Sequence, residues 1–272
     1  AESIVNEARG LTKKKDFKGY IHDVGGPTAN FRHPSCSKQL ERGMCKNRDC
    51  LYPKPCKELY VDHSDYLDVL KQVRALPKVK KVFIRSGIRY DYLMADRDRT
   101  FIKELCANHV SGTLKVAPEH SSPEVLSYMH KPSIDVFTEF AKEYFRENDR
   151  LGKKQYLIPY LISSHPGSTL RDAVELAEFL NRYGFVPDQV QDFYPTPATL
   201  ATCMYYTEMN PFTGENVYVA KDMEEKKMQR ALIHYNRPEN YQLVKKALIK
   251  AGREDLISVL LPPQNRKGKK RR

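Results

Sequence analysis

Five short apolar runs, each closed by turn residues, alternate with amphipathic helical stretches along this chain. That alternation restricts the fold more than any other feature. Residues 17–23 run into Gly25-Gly26-Pro27, 79–86 into Gly87, and 112–117 into Pro118. Residues 156–162 run into Ser163-Ser164-His165-Pro166-Gly167, and 188–193 into Tyr194-Pro195. Each run is rich in Val, Ile, Leu or Tyr and short enough to be a buried strand. Between them, residues 64–76 set Leu67, Leu70 and Val73 on one helical face, and 98–109 do so with Phe101, Ile102, Leu105 and Cys106. Residues 133–148 repeat Ile134, Phe137, Ala141 and Phe145, and 168–183 repeat Leu170, Val174, Ala177 and Leu180. Ser168 or Thr169 is placed to cap the last helix, with Asp172 near its positive end. Strand–helix repetition predicts an α/β fold with a parallel sheet and right-handed crossovers. An open doubly wound sheet and a barrel both satisfy it. The polar, Gly- or Pro-containing strand ends suit one common mouth, which favours a partial parallel (β/α) TIM-like barrel over residues 1–195.

One connection breaks the rhythm. Residues 25–62 show neither a helical nor a strand period, although connections of this kind usually span about 2–6 residues. The insertion, taken as 27–62, holds Cys36, Cys45, Cys50 and Cys56 among Lys38, Arg42, Lys46, Arg48 and Lys54. It has little apolar content with which to bury itself, so it needs a staple or stays mobile. Cationic neighbours favour thiolate, the metal-binding form, and four thiolates suit zinc or an iron–sulfur cluster alike. Their spacing is not that of paired C-x-x-C knuckles. His63 reads as the start of a helix, and Cys106 as core.

The strand ends form a second constellation. Asp23 with Gly25 and Gly26, Arg85 beside Gly87, Lys115 and Glu119 around the third run, and His165-Pro166-Gly167 after the fourth share one position relative to their strands. This predicts convergence on a polar, charged pocket. No phosphate-binding Gly-x-x-x-x-Gly-Lys loop, Gly-x-Ser-x-Gly elbow or His-Glu-x-x-His pair is present.

Beyond Phe193 the alternation stops. Residues 196–219 read as irregular, followed by helices at about 222–235 and 238–251. The expected organisation is a mostly helical C-terminal appendage over 196–260 and a disordered basic tail over 261–272. The net charge of +12 owes six charges to the last eight residues, so the body is only mildly basic. That tail makes a nucleic-acid backbone a candidate partner. No apolar run reaches the ~18 residues of a membrane span. The first fifteen residues read as an amphipathic helix and not as a signal peptide. Six cysteines are too few for a disulfide scaffold, which predicts a reduced, cytoplasmic setting.

Several strings together resemble one family. They are Asp23-Val-Gly-Gly-Pro-Thr-Ala-Asn30, Ser86-Gly-Ile-Arg-Tyr-Asp91, Lys115-Val-Ala-Pro-Glu-His120, the stretch from Gln155 to Gly167, and Gln189-Val-Gln-Asp-Phe-Tyr-Pro-Thr-Pro197. With the cysteine loop, they resemble the radical S-adenosylmethionine (SAM) proteins of the YgiQ type, from the first helix to about Ala251. The resemblance implies a partial (β/α) barrel of the radical SAM type, a [4Fe–4S] cluster, and reductive cleavage of SAM to a 5′-deoxyadenosyl radical. It implies an electron donor, and it leaves the substrate open. The C-x3-C-x2-C motif that holds the cluster in that family is missing, and the loop cysteines follow a later strand. The resemblance therefore places the cluster ligands outside this chain. It makes the chain a C-terminal portion of a longer protein, inactive alone, with the loop cysteines at most a second metal site. Gly25 and Gly26, with Asp23, fall where the SAM amino group is received, with Pro27 where the family has Glu. Arg85 belongs to the same set of strand ends. Lys115 and Glu119 match positions near the SAM ribose and carboxylate. Ile162, His165, Pro166 and Gly167 lie in the adenine-side stretch, where Ser164 and Ser168 replace a Gly and a Glu. The rival reading is a non-catalytic, metal-stapled nucleic-acid-binding protein.

Overall fold

The computed structural model describes residues 1–26, 28–188 and 190–261. In chain order the chain forms α1 (Glu2–Thr12), β1 (Tyr20–Ile21), α2 (Ser37–Arg42), α3 (Ser64–Arg74), β2 (Lys81–Val82), α4 (Tyr90–Ala95) and α5 (Thr100–Glu104). A π-helical turn, Leu105–His109, continues α5. Then come β3 (Thr113–Glu119), α6 (Pro123–Tyr128), α7 (Ile134–Arg150), β4 (Tyr156–Ser163), α8 (Leu170–Tyr183) and β5 (Val190–Asp192). The remainder is helical: α9 (Leu200–Thr207), α10 (Met223–Ile233), α11 (Tyr241–Lys250) and α12 (Ile257–Leu260).

All five runs read as strands contribute ladder residues, but to two small sheets. β1 and β2 pair in parallel, with Ile21 opposite Val82. The other sheet has the order β3-β4-β5, and β4 and β5 are parallel. On the edge of β2 that faces away from β1, a histidine takes up the backbone groups. The His109 carbonyl accepts from the Ile84 amide at 2.9 Å, and its ring Nδ1 donates to the Val82 carbonyl at 2.8 Å. His109 thus satisfies backbone groups on the edge of β2 opposite β1. The result is a mixed α/β fold, mostly helical, with small parallel sheets.

The chain divides into two compact units. The first comprises Ala1–Ala117 and Asp135–Leu157, the second Pro118–Ile134 and everything from Ile158 onward. In the first unit, α3 buries Leu67, Val69, Leu70 and Val73 on one face, each contributing about 2 kcal/mol of apolar burial. Phe101, Ile102, Leu105, Phe137, Phe140 and Tyr144 are also fully buried there. Cys106 is core as expected, and burial pushes its thiol up to about 12.

In the second unit, Ala173, Val174 and Ala177 of α8 share one cluster with Met228, Ala231 and Leu232 of α10 and Val244, Ala247 and Leu248 of α11. Helices on both sides of residue 195 thus pack into one cluster. Leu261, expected to open the tail, is buried in the same cluster. Residues 262–272, which carry the basic tail, lie outside the described residues. Two stretches expected to be irregular contain helices, α2 within the cysteine loop and α9 within 196–219. Among the described residues no helix is long and apolar enough to cross a membrane.

Candidate functional site

In the first unit the carboxyl ends of β1 and β2 are tied together by Asp23. Its Oδ1 accepts from the backbone amides of Arg85 at 2.9 Å and Ser86 at 3.3 Å. Gly25 sits against this arrangement: a Cβ there would stand 2.8 Å from Asp23 Oδ1 and 3.1 Å from both Ile84 Cγ2 and Ser86 Oγ. Around Gly26, by contrast, a Cβ meets nothing within 4 Å. The Gly87 turn passes over the Lys115 carbonyl, which a Cβ would approach to 2.8 Å. The structure thus brings Asp23, Gly25, the Arg85 backbone and the Lys115 backbone to one region, with the Arg85 and Lys115 side chains exposed. The two cations therefore escape the cost that burial would impose.

In the second unit the ends of β3 and β4 carry backbone strain. Glu119 and Ser164, neither of them glycine, have φ of 70° and 57°. Left-handed conformations of this kind cost about 1–3 kcal/mol and persist where surrounding structure holds them. Gln229 of α10 supplies part of that hold. Its Oε1 accepts from the Ser164 amide at 3.2 Å and Ser168 Oγ at 3.0 Å, and its Nε2 donates to the Ser168 carbonyl at 2.9 Å. Between these contacts, Gly167 has φ of 90° and its amide donates to the Tyr218 carbonyl at 2.7 Å. A Cβ on Gly167 would lie 2.3 Å from Tyr128 Cδ2, so no other residue fits without displacing that ring. Ile162 pairs with Gln191 in the β4–β5 ladder, and Ser163 Oγ donates to Asp192 Oδ1 at 2.8 Å.

Burial sets the protonation states here. The Glu119 carboxyl is pushed up by burial, opposed by Lys131, whose Nζ lies 3.4 Å from Oε1. Glu119 Oε2 and Ser164 Oγ are buried without a hydrogen-bond partner in the protein. His120 and His165 are held down to about 4 by burial. His120 Nδ1 accepts from the Ser122 amide at 3.1 Å, a bond that requires the unprotonated nitrogen. His165 packs edge-on to Phe193 at 5.1 Å, and its Nδ1 lies 2.8 Å from the Pro166 carbonyl.

Sequence patterns gave no sign of Gln229, Tyr128 and Tyr218, because their partners are distant in sequence. The cap was readable. Thr169 caps α8 in a capping box with Asp172, whose other oxygen accepts from Ser122 Oγ at 2.6 Å.

The cysteine loop belongs to the first unit and has a tightly fixed neck. Asn30 is buried and bonds the Arg89 backbone in both directions, its Oδ1 accepting at 2.8 Å and its Nδ2 donating at 3.0 Å. That amide also meets His63 Nε2 at 3.2 Å, while His63 Nδ1 pairs with Asp96 at 2.6 Å and the ring stacks on Phe101. Both ring nitrogens of His63 are thereby engaged. Asp65 accepts from Arg32 Nε at 2.5 Å and lies 3.1 Å from His33 Nε2, and the Tyr60 amide donates to the Ser35 carbonyl at 2.7 Å. Beyond this neck all four cysteines line a single cavity of about 400 Å³. The Cys50 thiol is pushed up by burial and by the nearby Cys36, Cys56 and Cys45. Among the described residues no three His, Cys, Asp or Glu side chains stand close enough to hold a metal ion as placed.

Comparison with known proteins adds a family relationship. The chain is 59% identical over 256 residues to a UPF0313 protein of Clostridium botulinum (strain 657 / Type Ba4), covering 94% of this chain and 40% of that one. It is 60% identical over 256 residues to a UPF0313 protein of Clostridium perfringens (strain SM101 / Type A), covering 94% and 39%. This chain is related to the UPF0313 proteins. It spans about two fifths of the length of these curated relatives. A family model described as a domain of unknown function (DUF3362) matches residues 188–271. Among solved structures, the archaeal Methanocaldococcus infernus Elp3 with an N-terminal deletion is weakly similar. Its TM-score is 0.46 at 15% identity, covering 92% of this chain and 59% of that one.

Proposed function

We propose that this UPF0313 relative is the part of a YgiQ-type radical SAM enzyme that contacts SAM, arranged as a partial (β/α) barrel. The ordered strings from Asp23 to Pro197 support this reading. The observation that carries it is Glu119, a carboxyl at the end of β3 with left-handed backbone and a buried oxygen that no protein group satisfies. A buried acceptor without a partner costs about 1–3 kcal/mol, which a bound hydroxyl or ammonium would recover.

The residues present fit such a ligand. In the second unit, Glu119 Oε2 and Ser164 Oγ are acceptors of the kind that ribose hydroxyls require. Ile162, His165, Pro166 and Gly167 present a rigid backbone edge for the adenine, fixed from behind by Gln229 and Tyr218. No cysteine triplet of this chain has the C-x3-C-x2-C spacing, so a [4Fe–4S] cluster would be held by cysteines other than these, and would supply one-electron reduction of SAM when bound and charged by an electron donor. This chain's residues bind, orient and exclude water. His165, neutral at physiological pH, adds no charge beside the adenine.

The test is anaerobic reconstitution of the whole protein with iron and sulfide, then dithionite and SAM, with 5′-deoxyadenosine read by chromatography. The expected result is product from the whole protein and none from the 272-residue chain alone. No product from the whole protein overturns the reading. Product from this chain alone overturns the assignment of the cluster ligands elsewhere.

A further inference from the structure

The cysteine loop has a firm neck and an unsupported body. Every neck residue from Asn30 to Ser35 that is bonded across the loop meets a partner in 60–65 or in the segment from Arg89 to Asp96. Past the neck, Leu51 is the one side chain of the body with full apolar burial, while Leu40 and Met44 are 76% and 86% exposed. α2 buries none of its residues. A loop of this length with no apolar core of its own does not hold one conformation through packing. What it does have is sulfur on one wall after another of a single cavity. Cys36 precedes α2, Cys45 follows it, and Cys50 and Cys56 are joined by a 2.9 Å bond from the Cys56 amide to the Cys50 carbonyl. Gln39 reaches from α2 to donate to Cys50 Sγ at 3.3 Å, the kind of second contact that orients a thiolate ligand.

We propose that Cys36, Cys45, Cys50 and Cys56 form a tetrathiolate metal centre that staples the loop, taking a thiophilic metal as a zinc ion or an iron–sulfur cluster. This centre is separate from any cluster that acts on SAM, and it does not depend on the SAM reading. Metal entry draws the thiols inward from the cavity walls. Cys45 is the exposed one of the four. His63 is excluded as a ligand because Asn30 and Asp96 already occupy both of its nitrogens. Binding through four thiolates releases their protons, and its free energy becomes folding energy of the loop.

The chain is isolated anaerobically without SAM and reconstituted separately with Zn²⁺ and with Fe²⁺ plus sulfide. Metal and acid-labile sulfide are then counted. The expected result is retention of about one zinc or about four iron with sulfide after desalting, the species retained deciding between them. Retention is lost in Cys50→Ser and Cys56→Ser but kept in Cys203→Ser, whose thiol lies on α9. A variant that misfolds is bypassed by footprinting the unmodified chain with iodoacetamide. Bound metal slows alkylation of the four loop thiols at least tenfold and leaves Cys203 unaffected. Retention of neither metal, equal retention in the loop variants, or unslowed alkylation each overturns the centre. Absence of 5′-deoxyadenosine from the whole protein with the loop metal still bound would count against the SAM reading alone.

Discussion

The Tyr60 amide donates to the Ser35 carbonyl at 2.7 Å, closing the cysteine loop at a neck that Asn30 and His63 lock from the inside. The ends of the loop are thus held by polar bonds, while in its body α2 buries no residue. Stability of the neck and order of the body are therefore separable properties.

Asn30→Ala removes the bonds to both Arg89 backbone groups and the contact to His63, leaving buried groups unpaired. The expected cost is about 2–4 kcal/mol in denaturant titration. Trypsin should then cut at the lysines and arginines of the loop well before the rest of the chain. Unchanged cutting would mean that the neck does not hold the loop.

Gly167→Ala forces a Cβ into the Tyr128 ring and an L residue into φ of 90°. A loss above about 2 kcal/mol is expected, as for other strained backbone positions. In a Tyr128→Ala background the steric part disappears, so the two changes are non-additive in a double-mutant cycle. Additive losses would contradict the contact.

Acid should destabilise the second unit through its histidines. His120 and His165 are held at about 4 when folded, against 6.5 when unfolded. The unfolded chain binds more protons between these values, so stability is full above about pH 6.5 and falls as pH drops toward 4. Each histidine contributes up to about 3 kcal/mol across that window. His120→Gln should flatten the slope of unfolding free energy against pH. An unchanged slope would contradict the burial of a neutral ring.

Glu119 titrates with the opposite sign. Its folded carboxyl is raised above the unfolded value, so its contribution is present below the unfolded pKa and lost as pH rises through the folded one. Glu119→Gln should therefore leave the chain as stable at pH 7, or more so, by thermal melting. A marked loss of stability would show that the carboxylate is a structural partner and not a ligand group.

Much of the architecture could be read from periodicity. The five strands announced themselves by apolar runs closed with turn residues. Thr169 and Asp172 announced the cap of α8. Elements without an apolar face did not: α2 buries nothing, and α9 starts from a Thr199–Thr202 hydroxyl cap within a run of Thr and Tyr. The split into two units was hidden because its boundary passes through β3 and β4, strands with no break in their pattern. The proposed site rests on strand ends, and these were legible as such. The residues that hold it, Gln229 and Tyr128, were not, because a lone glutamine or tyrosine carries no sign of a partner dozens of residues away. Zinc and iron–sulfur ligation look alike in cysteine spacing.

Equilibrium dialysis of radiolabelled SAM against the whole protein tests the central claim most directly. Wild type should bind, and Glu119→Gln, folded to the same melting temperature, should bind at least tenfold more weakly, the loss expected for one charge-assisted contact. Binding that is equal in the two proteins, or absent from wild type, would contradict the account.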